Sequence, residues 1–251
     1  MSAKIIIQAR TGSTRLPGKI LHNFHEENTI LDILIESLKS KFDEKNIILA
    51  TSLNESDAQL NNVAIKHNIN FFRGNENDVL TRFIDAAQEF NAEQIVRICA
   101  DNPFLLPEYI SPLIEQLNHK EHLEYVSYQW QDQTPVMLSH IGLFAECFKL
   151  EFLKKISHLT NASLYREHVT NFLYPNKDKF NALFLPIPPV LNQHQNVRLT
   201  IDTKIDFETA QEVYSDWITY ESKDLNTLLK VIQNKPLLLD KMQKEIDKNA
   251  K

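Results

Sequence analysis

The stretch Gln8-Ala9-Arg10-Thr11-Gly12-Ser13-Thr14-Arg15-Leu16-Pro17-Gly18-Lys19 constrains this chain more than any other. Ile5-Ile6-Ile7 just before it is a short, apolar, β-branched run, the composition of a buried strand. Just after it, Thr29 to Leu38 places Ile30, Ile33, Leu34 and Leu38 on one side at helical spacing. That order predicts a loop leaving the C-terminal end of a first strand, where open α/β sheets bind their ligands. Arg10, Arg15 and Lys19 share the loop with Ser13, Thr14 and two of the chain's four glycines. Glycine lets a backbone come close to a phosphate, and its N–H groups can form an anion nest. Arginine adds forked donors and lysine a mobile point charge, a combination suited to a polyphosphate. The competing reading is a solvated basic turn. It sits badly with a formal net charge of -6 and with glycine so scarce elsewhere. The loop is not a Walker A loop, since no Gly-Lys-Ser/Thr ends it, and it is not G-x-G-x-x-G.

The rest of the chain repeats the strand–helix alternation. Ile47-Ile48-Leu49-Ala50-Thr51 predicts a second buried strand, and Asp57 to His67 a helix capped by Ser56 or Asp57. Ile69-Asn70-Phe71-Phe72-Arg73 predicts a third strand ending at Gly74. Val79 to Phe90 predicts a helix with Asn77 or Asp78 as cap. Gln94 to Cys99 predicts a fourth strand, running into Ala100-Asp101-Asn102-Pro103, with Tyr109 to Leu117 the next helix. Such alternation implies an α/β fold, a mostly parallel sheet with helices on both faces. From about Glu124 to Pro189 the alternation fails. There Tyr125-Val126-Ser127-Tyr128-Gln129-Trp130 alternates as an exposed strand does, Leu150 to Leu159 and Leu164 to Leu173 look helical, and Leu183 to Pro186 reads as a strand. We read 124–189 as an irregular acceptor-site and subunit-contact region set into one domain spanning 1–251. Its exposed aromatics predict a homodimer. Val197-Arg198-Leu199-Thr200-Ile201 resumes strand character, and Ile205 to Tyr214 and Leu225 to Asn234 are helices, followed by a polar, Lys-rich tail from Lys241.

Several function classes are disfavoured. With 251 residues, 43% hydrophobic and 24% charged, the chain has the composition of an ordinary globular protein. The negative net charge argues against nonspecific nucleic-acid binding. Cys99 and Cys147 are too few for a disulfide framework or a zinc cluster. No apolar run reaches about 18 residues and no signal peptide precedes the first strand, so no membrane span and a cytoplasmic location are expected.

Asp101 and Asp202 each end a predicted strand, on the same rim as the basic loop. Two carboxylates there suit Mg²⁺, which takes a few carboxylates together with phosphate oxygens and waters. Alternatively, each caps the helix that follows.

Residues Gln8 to Leu21 match the pattern Q/P-A-R-x-x-S-T-R-L-P-G-K-x-L throughout. By it the chain resembles the cytidylyltransferases that make CMP-activated sugars, and most of all their spore-coat-polysaccharide (SpsF-type) branch. CMP-KDO synthetases and acylneuraminate cytidylyltransferases are relatives of that branch. Asp101-Asn102-Pro103 matches the family's metal-ligand segment. Ile201-Asp202-Thr203-Lys204-Ile205-Asp206 resembles its D-T-P-E-D segment, with Lys204 in place of the proline. Asp78-Val79-Leu80-Thr81-Arg82-Phe83 resembles D-V-L-x-R-[FY], Gly142 to Glu146 resembles G-L-x-x-E, and Arg166 to Thr170 resembles R-E-H-V-T. CMP-KDO synthetases carry Gln where this chain has Cys99, which argues against KDO as acceptor; Arg97 follows the SpsF-type pattern.

The resemblance implies a Rossmann-like, GT-A-type fold like that of nucleotide-diphospho-sugar transferases. It implies CTP as substrate, a small anionic sugar-like acceptor, and Mg²⁺ on Asp101 and Asp202. Gln8, Ala9, Arg10, Gly12, Ser13, Thr14, Arg15, Lys19 and Arg82 would bind nucleotide, with Arg10, Arg15, Lys19 and Asp101 catalytic. Glu146, Arg166 and His168 would meet the acceptor. Read from the residues alone, Arg82 is equally a surface arginine, and an Arg166–Glu167 surface pair beside a half-buried His168 is slightly favoured over an acceptor contact. Two other classes compete. A nucleotide-sugar glycosyltransferase would need an Asp-x-Asp metal motif after a strand. A catalytically silent nucleotide-binding partner is at odds with intact Arg10, Lys19 and Asp101.

Overall fold

The computed structural model describes residues 3–249. Its elements run Lys4–Gln8 (β1), Asn23–His25 (β2), Asn28–Thr29 (β3), Ile30–Lys39 (α1), Ile47–Ser52 (β4), Leu60–His67 (α2), Asn70–Gly74 (β5) and Val79–Glu89 (α3). They continue with Gln94–Cys99 (β6), Ser111–His119 (α4), Tyr125–Gln129 (β7), Glu146–Lys149 (β8), Leu150–Leu159 (α5) and Ser163–Glu167 (α6). Ala182–Pro186 (β9), Lys204–Trp217 (α7), Leu225–Gln233 (α8) and Pro236–Lys248 (α9) complete the chain.

One seven-stranded sheet, ordered β5-β4-β1-β6-β8-β7-β9, carries the fold. β8 pairs antiparallel with both β6 and β7, while the other neighbouring pairs are parallel. The expected mostly parallel sheet covered on both faces is therefore present. Side chains alternate across it. Ile5 and Ile7 pack with α1, α2, α4, α7 and α8 on one face, and Ile6 packs with α3 and α5 on the other. Local chemistry starts the helices where expected. Thr29 and Asp32 form a reciprocal cap on α1, and the Asp78 side chain accepts from Thr81 N to start α3. Strand order reverses between β1 and β6, so a crevice opens at the C-terminal ends of those two strands.

The structure corrects several expectations. Tyr125, Tyr128 and Trp130 are buried, not exposed. β7 is an inner strand covered on both sides: Tyr125 packs among Phe148, Phe152 and Phe184, and Tyr128 against Tyr109 and Phe144. Residues 197–201 form no strand. Their backbone bonds go to loops, Leu199 N and Thr200 N donating to His140 O and Ile201 N to Asp101 O. Gly142 (φ 64°) makes this seam possible, because a Cβ there would stand 3.0 Å from the Leu199 and Thr200 backbone. The helix expected over Leu164 to Leu173 stops at Glu167, and tight i→i+3 turns follow. The helix expected from Asp57 starts at Leu60, since Asp57 is committed elsewhere. The polar tail from Lys241 is the second half of α9.

Candidate active site

The crevice is floored by the loop after β1. Ala9 N continues the sheet by donating to Ala50 O. Thr11 is then pinned, its N and its Oγ1 each donating to Asp57 Oδ1 at 2.7 Å. Asp57 Oδ2 accepts from Ser52 Oγ at 2.5 Å. Burial raises the pKa of the Asp57 carboxyl, but the bonds from Ser52 and Thr11 outweigh it and hold the group below the usual carboxylate range. Ser13 N and Gly18 N both donate to Thr11 O at 2.9 Å, so one residue organises the whole loop. Gly18 (φ 68°) then turns the chain into a 3-10 turn that swings Lys19 inward.

A cavity of about 200 Å³ lies above the loop. Gln8, Arg10, Ser13, Thr14, Arg15 and Lys19 line one side, and Cys99, Asp101 and Asp202 the other. Of the other loop residues expected to bind nucleotide, Ala9 is buried beneath, and a Cβ at Gly12 would meet only open space. Lys19 Nζ donates to Asp101 Oδ2 at 2.7 Å and to the Ile201 carbonyl, and lies 3.6 Å from Asp202 Oδ1. Arg15 Nη2 pairs with Asp202 Oδ1 at 2.8 Å. Arg10 is exposed and pairs with Glu167 at 3.5 Å. The two carboxylates thus converge on one ammonium group. Among the described residues, no group of three or more His, Cys, Asp or Glu side chains is arranged to hold a metal. Two hard carboxylates beside a phosphate-sized cavity still suit Mg²⁺, which completes its shell with phosphate oxygens and water.

Asp202 has a second anchor. Arg198, fully buried, donates from Nη2 to Asp202 Oδ2 at 3.0 Å. It also makes a forked pair with Asp206, from Nε to Oδ1 at 2.7 Å and from Nη2 to Oδ2 at 2.9 Å. Burial raises the Asp206 carboxyl, but Arg198 and the Thr203 and Asp202 amides pull it below its ordinary value. Asp206 also caps α7. From the C-terminal side α9 reaches the same place, Thr203 Oγ1 donating to Glu245 Oε2 at 3.0 Å and Arg15 Nη1 to Asn249 Oδ1 at 3.0 Å.

A second cavity, about 520 Å³, adjoins the first and shares Arg15, Cys99, Asp101 and Asp202 with it. Its far side carries His168, Thr170 and Asn171, with Met137, Leu138 and Phe144 as an apolar wall. Arg97 lies on its floor, donating to Glu146 Oε1 at 2.5 Å and to Gln8 Oε1 at 3.1 and 3.3 Å. Glu146 is fully buried below that floor, its oxygens taken by Arg97, Tyr125 OH and Thr170 Oγ1. Arg166 points away, to Asp78 and Ser157. Of the three residues expected to meet the acceptor, His168 alone lines this cavity. Arg82 is buried at the end of β5, with Nη1 donating to Asn75 O at 3.1 Å and with Nε and Nη2 unpartnered. Burial and the nearby Arg10 lower its pKa to about 10.

Sequence reasoning missed Asp57 and Arg198. Asp57 carries a helix-start signature that hid its bonds to the loop. Arg198 had a visible signal, a lone charge inside an apolar run.

A family model described as cytidylyltransferase matches residues 4–240. The chain belongs to the cytidylyltransferase family. Membership carries CTP-dependent cytidylyl transfer to a sugar-type acceptor in the broad sense of the family. The spore coat polysaccharide biosynthesis protein SpsF of Bacillus subtilis is 36% identical over 214 residues, 83% of this chain and 85% of that protein. An uncharacterized protein of Methanocaldococcus jannaschii is 37% identical over 208 residues, 83% of this chain and 81% of that one. The solved structure of a cytidylyltransferase from Leptospira borgpetersenii serovar Hardjo-bovis superposes with a TM-score of 0.82 at 32% identity, covering 95% of this chain and 97% of that one. A CMP:2-keto-3-deoxy-manno-octonic acid synthetase complexed with CTP has a TM-score of 0.62 at 12% identity, covering 86% of this chain and 99% of that one, a likeness of fold. The cytidylyltransferase match ends at residue 240, before Glu245 and Asn249.

Proposed function

We propose that this cytidylyltransferase transfers CMP from CTP to an acidic sugar or a related anionic acceptor, releasing pyrophosphate, in surface polysaccharide or glycoconjugate biosynthesis. The observation that carries the reading is the pair of adjoining cavities with Arg15, Cys99, Asp101 and Asp202 as their common wall. A polyphosphate on the basic side would meet an acceptor from the other side at that wall. Resemblance to the SpsF-type branch supports the surface-polysaccharide setting.

In this reading the CTP phosphates lie over Gly12 to Lys19. Mg²⁺ held by Asp101 and Asp202 would neutralise phosphate charge when bound. Arg10 and Arg15 draw the phosphates in, Arg15 exchanging Asn249 and Asp202 for phosphate oxygens. Lys19 turns from Asp101 toward the charge that grows on the departing pyrophosphate. The acceptor oxygen forms its bond to the α-phosphorus as the bond to the β-phosphate bridge breaks. Arg97 and His168 face the acceptor's anionic group. Glu146 holds Arg97 in place, Arg166 anchors α6, and Arg82 supports the nucleotide side from beneath. The reading includes a cytoplasmic location, and among the described residues no helix is long and apolar enough to cross a membrane. It also includes a homodimer through 124–189, where Leu159 and Leu164 are the exposed large apolar side chains.

The test is a pyrophosphate-release screen, four nucleoside triphosphates crossed with nonulosonic acids, sugar phosphates and phosphonates. CTP-dependent release with a CMP-conjugate as product is expected. Release with UTP, GTP or ATP in preference to CTP, or a glycosidic product from a nucleotide sugar, would overturn the proposal. Light scattering tests the dimer, and a monomer at high concentration counts against it.

A further inference from the structure

Asp202 sits on the wall between the two cavities, at the end of a segment that belongs to no sheet. A carboxylate on such a segment needs something other than strand pairing to aim it. We infer that Arg198 is a positioning residue for Asp202: it clamps Asp202 to the capping carboxylate of α7 and leaves one oxygen, Oδ1, facing the cavity. This inference rests on the cytidylyltransferase reading, with Asp202 as a metal ligand.

The guanidinium is fully buried and every edge is used. Its Nε–Nη2 edge takes both oxygens of Asp206, Nη2 also reaches Asp202 Oδ2, and Nη1 donates to His140 Nδ1 at 2.5 Å. A guanidinium only donates, so that imidazole nitrogen is the acceptor. Three partners around one group require the rigid fork of arginine; an ammonium group cannot span them. Asp206 completes the clamp from the backbone side, its Oδ2 accepting from Asp202 N at 2.9 Å and Thr203 N at 2.8 Å. Both the main chain and one side-chain oxygen of Asp202 are therefore tied to the start of α7. The remaining oxygen, Oδ1, is the one that Arg15 and Lys19 approach. Asp202 then offers a metal a single oxygen, at a position set by a helix end. Partners that orient a metal ligand typically contribute 10–100-fold in metal affinity.

The experiment titrates Mn²⁺ by electron paramagnetic resonance, with CTP present, into wild type, Arg198→Lys and Asp206→Asn. CTP binding in EDTA and circular dichroism are measured alongside. Arg198→Lys keeps the charge but loses the fork. Asp206→Asn keeps the cap and the volume but weakens the grip on Arg198. The expected result is folded variants with near-normal CTP affinity in EDTA and Mn²⁺ affinity lowered about 10-fold or more. A folded Arg198→Lys protein that binds Mn²⁺ as wild type does overturns the inference. So does an equal loss of metal-free CTP affinity, which would place Arg198 on the nucleotide. Loss of folding in both variants assigns Arg198 to stability alone and also overturns it. A wild-type protein whose CTP binding ignores Mn²⁺ instead overturns the underlying reading, so the two failures are separable.

Discussion

Asp57→Ala tests how the basic loop is held. The side chain is buried and accepts three hydrogen bonds, two from Thr11 at 2.7 Å and one from Ser52 at 2.5 Å. Bonds to an ionised group are worth about 1.5–3 kcal/mol each. They do not add, because alanine also relieves the cost of burying the charge. The net loss is about 2–4 kcal/mol, within the range for breaking a buried hydrogen-bonded network. For a chain of this size that is a fall in Tm of about 4–16 °C. Since Ser13 N and Gly18 N hang on Thr11 O, CTP affinity should fall as well. Asp57→Asn, which keeps an acceptor for Thr11, should cost less than half as much. The pH dependence has a definite sign. The folded carboxyl titrates below its ordinary value, so its contribution is present above the unfolded pKa of about 3.9 and is lost as pH falls through the folded one. The gap between wild type and Asp57→Ala should thus narrow below about pH 4. Urea unfolding across pH 3–7 together with CTP titration measures all of this. An alanine variant within about 0.5 kcal/mol of wild type, with unchanged CTP affinity, would refute the reasoning, since surface-type substitutions already span that range.

Three further outcomes are expected. Lys19→Ala should lower turnover by about 10²–10³ with a smaller effect on CTP binding, whereas Asp101→Ala should raise the Mg²⁺ needed for half activity; steady-state kinetics over a Mg²⁺ series separates them. The buried Asp32 is raised by burial but held well below the carboxylate range by Lys66, His67 and Thr29. Its stabilisation is complete above an unfolded pKa of about 3.9 and declines as pH falls toward the folded one, so urea unfolding of Asp32→Asn should show a shallower acid loss than wild type. Burial pushes the Cys147 thiol up, while Cys99 is partly exposed on the shared wall of the two cavities, so a thiol reagent should label Cys99 alone and CTP should slow it.

The sheet's first half was legible because its signals are local. The β-branched runs of β1 and β4, the Asp78 cap, and the apolar faces of α1 and α3 each decide their own element. The basic loop and Asp101 were legible for the same reason, as short patterns after β1 and β6, whereas the segment that delivers Asp202 is not the strand its composition predicts. What was not legible depends on distant partners. Residues 197–201 have strand composition, yet their hydrogen-bonding groups are satisfied by the 140–142 turn and by Asp101, which no local pattern reveals. The alternation in Tyr125 to Trp130 is the same whether one face meets water or an aromatic cluster, and α5, β8 and β9 supply the cluster. Asp57 looked like a cap because the residue type is right for one. Its true partner, Thr11, lies 46 positions away.

The contacts of α9 bear on how this protein is handled. Asn249 holds Arg15, and Glu245 holds the residue beside Asp202. The end of α9 therefore lies beside the basic cavity that Arg15 lines. Lys4 starts β1 at the end away from that cavity, roughly 13 Å from Gln8 along the strand. A C-terminal affinity tag is therefore expected to lower CTP affinity and an N-terminal one to leave it unchanged, which CTP titration of the two tagged forms checks.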